Sequence, residues 1–206
     1  MDTVEIVVKA FYHIANESKK STFLFSSPNF ENKPSTLGED LLKLFEKDSD
    51  SKFIIECAGE EITAYKSVMQ ARSEKFNQLL SNGTDRLRIT DFSSKIVKKA
   101  VEFCNNETIV DFEAEETNIF TFAYTYKIPS LMTYSSKNII DNANIENAVV
   151  RFKFAHFYRF EPLKKWFFEY IIQNFVEISK TSAFKSLDAD LYKPILEELL
   201  NQKKII

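Results

Sequence analysis

From residue 96 onward the apolar side chains recur at helical spacing in stretch after stretch, which leaves little room for an all-β architecture. Ile96, Val97, Ala100, Val101 and Cys104 form one such face. Ile145, Ala148, Val149 and Phe152, then Leu163, Trp166, Phe167, Tyr170 and Ile171, then Leu191, Ile195, Leu196, Leu199 and Leu200 form three more. Recurrence every three to four residues buries one stripe of each helix, so the C-terminal third is expected to be helical. With 20 Phe and 8 Tyr against only 3 Gly and 5 Pro, large rings are carried on regular elements with few strained turns. Pro129, Pro162 and Pro194 each stand where a helix would begin, because a missing N–H costs nothing in a first turn.

The first part of the chain has a different period. Val4, Ile6, Val8, Ala10, Tyr12 and Ile14 alternate as on a strand with one buried face. Residues 16–20 read as a turn, Thr22 to Phe25 as the returning strand, and the stretch containing Pro28 and Pro34 as a linker. Thr36 and Glu39 have the spacing of a capping box ahead of a short helix carrying Leu41, Leu42, Leu44 and Phe45. Phe53 to Cys57 and Glu61 to Thr63 flank Ala58-Gly59 as in a small hairpin. Leu87 to Ile89 and Thr108 to Val110 are expected to be brief strands. The fold class is therefore α+β.

Chemistry finds little support. A chain of 206 residues with 44% hydrophobic and 28% charged residues has the composition of a globular protein of one large or two small domains. The net charge is -3, and the pairs Lys98/Lys99, Lys164/Lys165 and Lys203/Lys204 are scattered rather than gathered, which argues against a nucleic-acid partner. No apolar run approaches the roughly 20 residues of a spanning helix. The chain opens with Asp2 and Glu5, so no membrane partner and an intracellular location, cytoplasmic or nuclear, are expected. In that setting the glycosylation sequons at Asn16, Asn82 and Asn106 read as polar turns. Cys57 and Cys104 read as buried thiols rather than a disulfide. His13 and His156 are the only histidines and no pair stands at ligand spacing, so neither a metal nor another cofactor is expected. Gly38, Gly59 and Gly83 are isolated and form no phosphate-cradling loop. Glu60 and Glu61 should point to opposite faces of a strand, and Glu115/Glu116 reads as a solvated first helical turn. No catalytic residue is assigned, and the expectation is a non-enzymatic protein.

The stretch Gly59-Glu60-Glu61-Ile62-Thr63-Ala64-Tyr65-Lys66-Ser67-Val68-Met69-Gln70-Ala71-Arg72-Ser73-Glu74-Lys75-Phe76 resembles the central signature of the BTB/POZ family: a glycine turn, a strand, an Ala-His-Lys triplet, an apolar pair, Ala-Arg-Ser and a closing Phe. Leu87-Arg88-Ile89-Thr90-Asp91 looks like the family's short strand and Asp turn. Phe122-Ala123-Tyr124-Thr125-Tyr126-Lys127-Ile128-Pro129-Ser130-Leu131 is similar to its helix junction. The resemblance implies a BTB/POZ fold, a helical cluster flanked by a small sheet, at residues 37–141. An N-terminal β-hairpin and linker at 1–36 precede it. A helical extension at 142–206 follows, in which residues 144–177 resemble the BACK-like paired helices of cullin-3 ubiquitin ligase adaptors.

What the resemblance implies for function is a protein-interaction module. It acts as a homodimer or paired with another BTB protein, and serves as a substrate-recruiting adaptor of a cullin-3 ligase. The alternative is a dimerisation scaffold without the cullin. The dimer interface would lie on Leu41, Leu42, Leu44 and Phe45, and the cullin-facing residues would be Leu80 and Tyr126; each also has a packing reading. Two departures bear on this. Lys52 and Tyr65 replace the family's Asp and His, and Lys52 beside Lys66 would leave the co-repressor pocket positive without a counter-charge. The loop Leu79-Leu80-Ser81-Asn82-Gly83-Thr84 lacks the Glu of the adaptors' apolar-x-Glu motif. Phe152, Phe154, Phe157, Tyr158 and Phe160 occupy more than one face of their helix, so some of these rings should meet another helix or a partner.

Overall fold

A two-residue turn sets the sheet. In the computed structural model, which describes residues 37–47, 51–112 and 114–203, Ala58 and Gly59 both take positive φ, 51° and 83°. That is the turn whose twist matches two antiparallel strands. It joins β1 (Lys52–Cys57) to β2 (Glu60–Tyr65), paired from Lys52↔Tyr65 to Cys57↔Glu60. On β1, Phe53, Ile55 and Cys57 are at most 1% exposed and alternate with half-buried neighbours, the period-two pattern of a strand with one face on a core. The sheet is completed by β3 (Arg86–Ile89), which runs parallel to β1, giving the order β2-β1-β3. A parallel neighbour needs a crossover. Two short helices supply it, α2 (Lys66–Arg72) and α3 (Glu74–Leu80). Ahead of the sheet lies α1 (Leu37–Lys47), which begins where the sequence places a helix start. Thr36 of the capping box and the hairpin at 1–36 lie outside the described residues, as do the side chains of Glu39 and Leu42.

Ser73 explains the break between α2 and α3. Its backbone is extended, and its Oγ accepts from Phe76 N–H at 2.9 Å to cap α3 while donating to the carbonyl of Tyr126. One buried hydroxyl thus ties the crossover to a helix 53 residues away. After β3 come α4 (Ser94–Asn106), α5 (Glu116–Thr125) and α6 (Pro129–Asp141). Then follow α7 (Ala148–Phe157), α8 (Glu161–Gln173), the single turns α9 (Phe175–Ile178) and α10 (Ser182–Lys185), and α11 (Ala189–Lys203). The described residues from Leu37 onward form one compact unit.

That unit holds two apolar cores. One gathers the inner face of the sheet with Met69, Phe76, Val97, Ala100, Phe122 and Leu131. The second gathers Phe120, Ile139, Val149, Phe152, Phe167 and Ile195. Helix α5 serves both, with Ile119, Phe122 and Ala123 in the first and Phe120 in the second. Cys57 and Cys104 are both buried free thiols. Burial pushes the Cys104 thiol up to about 12.

Three expectations are corrected. Thr108 to Val110 is not a strand: Ile109 N–H goes to Tyr134 Oη at 3.2 Å and Val110 N–H to Glu102 Oε1 at 3.3 Å, so side chains take bonds that a ladder would use. Pro194 does not start a helix but lies within α11, whose first turn is closed by Leu191 and Tyr192 N–H on the Asp188 carbonyl. Glu116 is no solvated residue; it is 6% exposed and accepts from Asn142 Nδ2 at 2.7 Å.

Candidate interaction surfaces

Apolar side chains left in water mark two faces. On α1, Leu41 and Leu44 are 40% and 61% exposed, while Phe45 is half-buried with its ring 5.7 Å from that of Tyr65. Leu41 and Phe45 line a cleft of about 260 Å³ with Val68, Ala71, Arg72 and Asn105. The buried Asn105 Oδ1 has no hydrogen-bond partner among the described residues, and an unsatisfied buried acceptor costs about 1–3 kcal/mol.

The second face runs from α5 to α7. Tyr124 is half exposed on α5, and its ring meets Tyr158 edge-on at 5.0 Å. Tyr158 packs in the same manner on Phe157, also at 5.0 Å, and Phe157 is 76% exposed. Inward, Tyr158 rests on Phe120 and Phe154, and its hydroxyl lies 3.2 Å from Thr121 Oγ1. The array is therefore anchored in the second core and open at its outer rings. Val150, exposed, lies along the same side of α7 as Phe154 and Phe157 by helical spacing.

The two residues read as cullin-facing are both core residues. Leu80 is 4% exposed and Tyr126 7%. Tyr126 stacks on Phe76 at 4.8 Å and on Phe122 at 4.5 Å, with Lys75 Nζ 4.5 Å above its ring. The exposed neighbour of Leu80 is Leu79, and Lys127, beside Tyr126, pairs with Glu74 of α3 at 2.8 Å. Tyr124 is the aromatic that the sequence reading passed over. The signal was there, since Tyr124 lies out of phase with Ile119, Phe122, Ala123 and Tyr126, all of which are buried.

The basic pocket is corrected as well. Lys66 Nζ lies 2.6 Å from Asp85 Oδ1, so it has a counter-charge, and Lys52 Nζ sits 5.8 Å from the centre of the Tyr65 ring. The outer strand charges are likewise compensated: Arg86 bridges Glu56 and Glu61, and Lys98 meets Glu60 on the opposite side of β2. Among the described residues no cluster of three His, Cys, Asp or Glu could hold a metal, and no helix is long and apolar enough to cross a membrane.

Residues 41–143 match the family model of the BTB/POZ domain. The Caenorhabditis elegans protein maternal effect lethal 26 is 27% identical over 167 residues, which cover 76% of this chain and 41% of that protein. The human Kelch repeat and BTB domain-containing protein 8 is 24% identical over 144 residues, covering 68% of this chain and 24% of that protein. The chain thus spans well under half the length of these relatives. The BTB domain of zebrafish PATZ1 superposes with a TM-score of 0.43 at 18% identity, over 54% of this chain and 100% of that one. That of human gigaxonin gives 0.42 at 17%, over 58% and 98%.

Proposed function

Because the chain belongs to the BTB/POZ family, whose domains bind other proteins, we propose that it is a substrate-recruiting adaptor of a cullin-3 RING ubiquitin ligase. Residues 37–141 act as the BTB/POZ domain and 142–206 as a BACK-like helical extension. The observation that carries this reading is the open ring array Tyr124–Tyr158–Phe157, which crosses from α5 to α7. In the adaptors that residues 144–177 resemble, the paired helices extend the groove for the cullin, and exposed aromatic anchors such as these dominate the energetics of protein interfaces. Self-association through Leu41, Leu44 and Phe45 of α1 completes the proposal. A second copy docked there would remove the exposed Leu41 and Leu44 from water.

Such an adaptor makes and breaks no bond. It raises the effective concentration of substrate at the ligase, and a dimer adds avidity. Calorimetry with the cullin-3 N-terminal region tests it. The wild type should bind with a micromolar or tighter constant, and Phe157→Asp should weaken binding at least about tenfold, equivalent to about 1.4 kcal/mol. Its unfolding midpoint should not move, since exposed positions tolerate substitution. Absence of wild-type binding at tens of micromolar would leave the dimerisation scaffold. That second reading is favoured by one observation: the loop from Leu79 to Thr84 carries no Glu, and Leu80 is buried.

A further inference from the structure

The connection between α6 and α7 is stitched by asparagines. Asn144 Oδ1 accepts from the N–H groups of Glu146 and Asn147, both at 3.0 Å, and Asn147 Oδ1 accepts from Asn144 N–H at 2.9 Å. Asn147 Nδ2 then donates to the Asn142 carbonyl at 3.0 Å. Asn142 ends α6, and its Nδ2 reaches across to Glu116 Oε1 in the first turn of α5. From the far side, Arg151 of α7 donates to the Ile139 carbonyl in the last turn of α6. Burial disfavours the charged form of this guanidinium, and the attraction of Glu116 opposes that effect.

A carboxylate that is 6% exposed needs compensation, because charge removed from water is costly unless paired and hydrogen-bonded. Glu116 has it from Asn142, from the charge of Arg151 and from its place at a helix N-terminus, while Arg151 donates to the Ile139 carbonyl at a helix C-terminus. Rotating α7 away from α5 and α6 would strand both groups. We propose that Glu116, Asn142 and Arg151 form a rigid joint that holds the α7–α8 pair in one orientation against α5 and α6. Where the adaptor reading holds, on which this purpose of the joint rests, the joint keeps Phe157 aligned with Tyr124 for the partner. The three are positioning residues and touch no partner themselves.

Amide hydrogen exchange on the full chain tests the joint without any partner. In Arg151→Met and in the milder Asn142→Ala, residues 148–173 should exchange about tenfold faster or more through local opening, while residues 52–65 keep wild-type rates. Arg151→Lys, which keeps the charge, should restore most of the protection. Unchanged rates at 148–173 in both variants would overturn the joint, and so would equal acceleration in both regions, which is general destabilisation. Cullin binding by the wild type, measured separately, bears on the adaptor reading alone.

Discussion

Truncating Tyr126 to alanine decides whether this residue packs the core or faces a partner. The ring is 7% exposed and lies nearly parallel to Phe76 and Phe122, at interplanar angles of 19° and 22°. Removing a buried aromatic side chain costs about 3–5 kcal/mol. Two aromatic pairs add about 0.5–1.5 kcal/mol each beyond burial, so a loss of about 5 kcal/mol is expected. With a urea slope of about 2 kcal/mol per molar, that moves the unfolding midpoint down by about 2.5 M. Tyr126→Phe, which keeps the stack, should cost no more than about 1 kcal/mol. The assay is urea unfolding followed by circular dichroism, alongside partner binding at low denaturant. A midpoint within about 0.5 M of wild type in Tyr126→Ala, combined with loss of binding, would refute the packing argument.

Other outcomes follow from the same geometry. Cys104 and Tyr126 are both held protonated by burial, with values pushed up to about 12 from 9.0 and 10.0. Their contributions are complete below the unfolded pKa values and vanish as pH climbs toward 12, about 4 kcal/mol from the thiol alone. Urea midpoints measured from pH 8 to pH 12 should fall through that window, and a flat profile would contradict the burial. Ala58 sits at φ 51°, a region that costs an ordinary residue about 1–2 kcal/mol. Ala58→Asn should therefore raise stability by about 1 kcal/mol in the same assay; a loss would mean the turn is not the one described. Leu44→Glu on α1 should convert a dimer to a monomer in light scattering, and its unfolding midpoint should lose the dependence on protein concentration that a dimer has.

Much of this architecture was legible because its signals are local. Alternation at Phe53, Ile55 and Cys57 and the Ala58-Gly59 turn specify the hairpin, and the stripe from Ile96 to Cys104 specifies α4. Pro129 and Pro162 mark helix starts because each stands in a first turn. Pro194 misleads because the carbonyl it leaves without its helical donor belongs to Asp190, an exposed residue at the start of α11, where a lost bond costs little. The misreading of Glu116 and the open choice between packing and partner at Leu80 and Tyr126 share a cause. Helical spacing says which side chains share a face, but what covers that face comes from distant residues, Asn142 for Glu116 and Phe76 for Tyr126. Lys66 is similar, since its counter-ion Asp85 is 19 residues away. The ring array was half legible: an excess of aromatics on α7 meant that some rings had to leave the core stripe, and only the packing of Tyr158 against Tyr124 shows that they continue onto α5.

In the function proposed above, this BTB/POZ chain self-associates through α1 and binds a cullin through the face formed by α5 and α7. Light scattering of the full chain, alone and after mixing with the cullin-3 N-terminal region, tests both halves in one measurement. The expected result is twice the 24.0 kDa chain mass alone, and a complex heavier by two cullin fragments. A 24.0 kDa species whose mass does not change on mixing would contradict it.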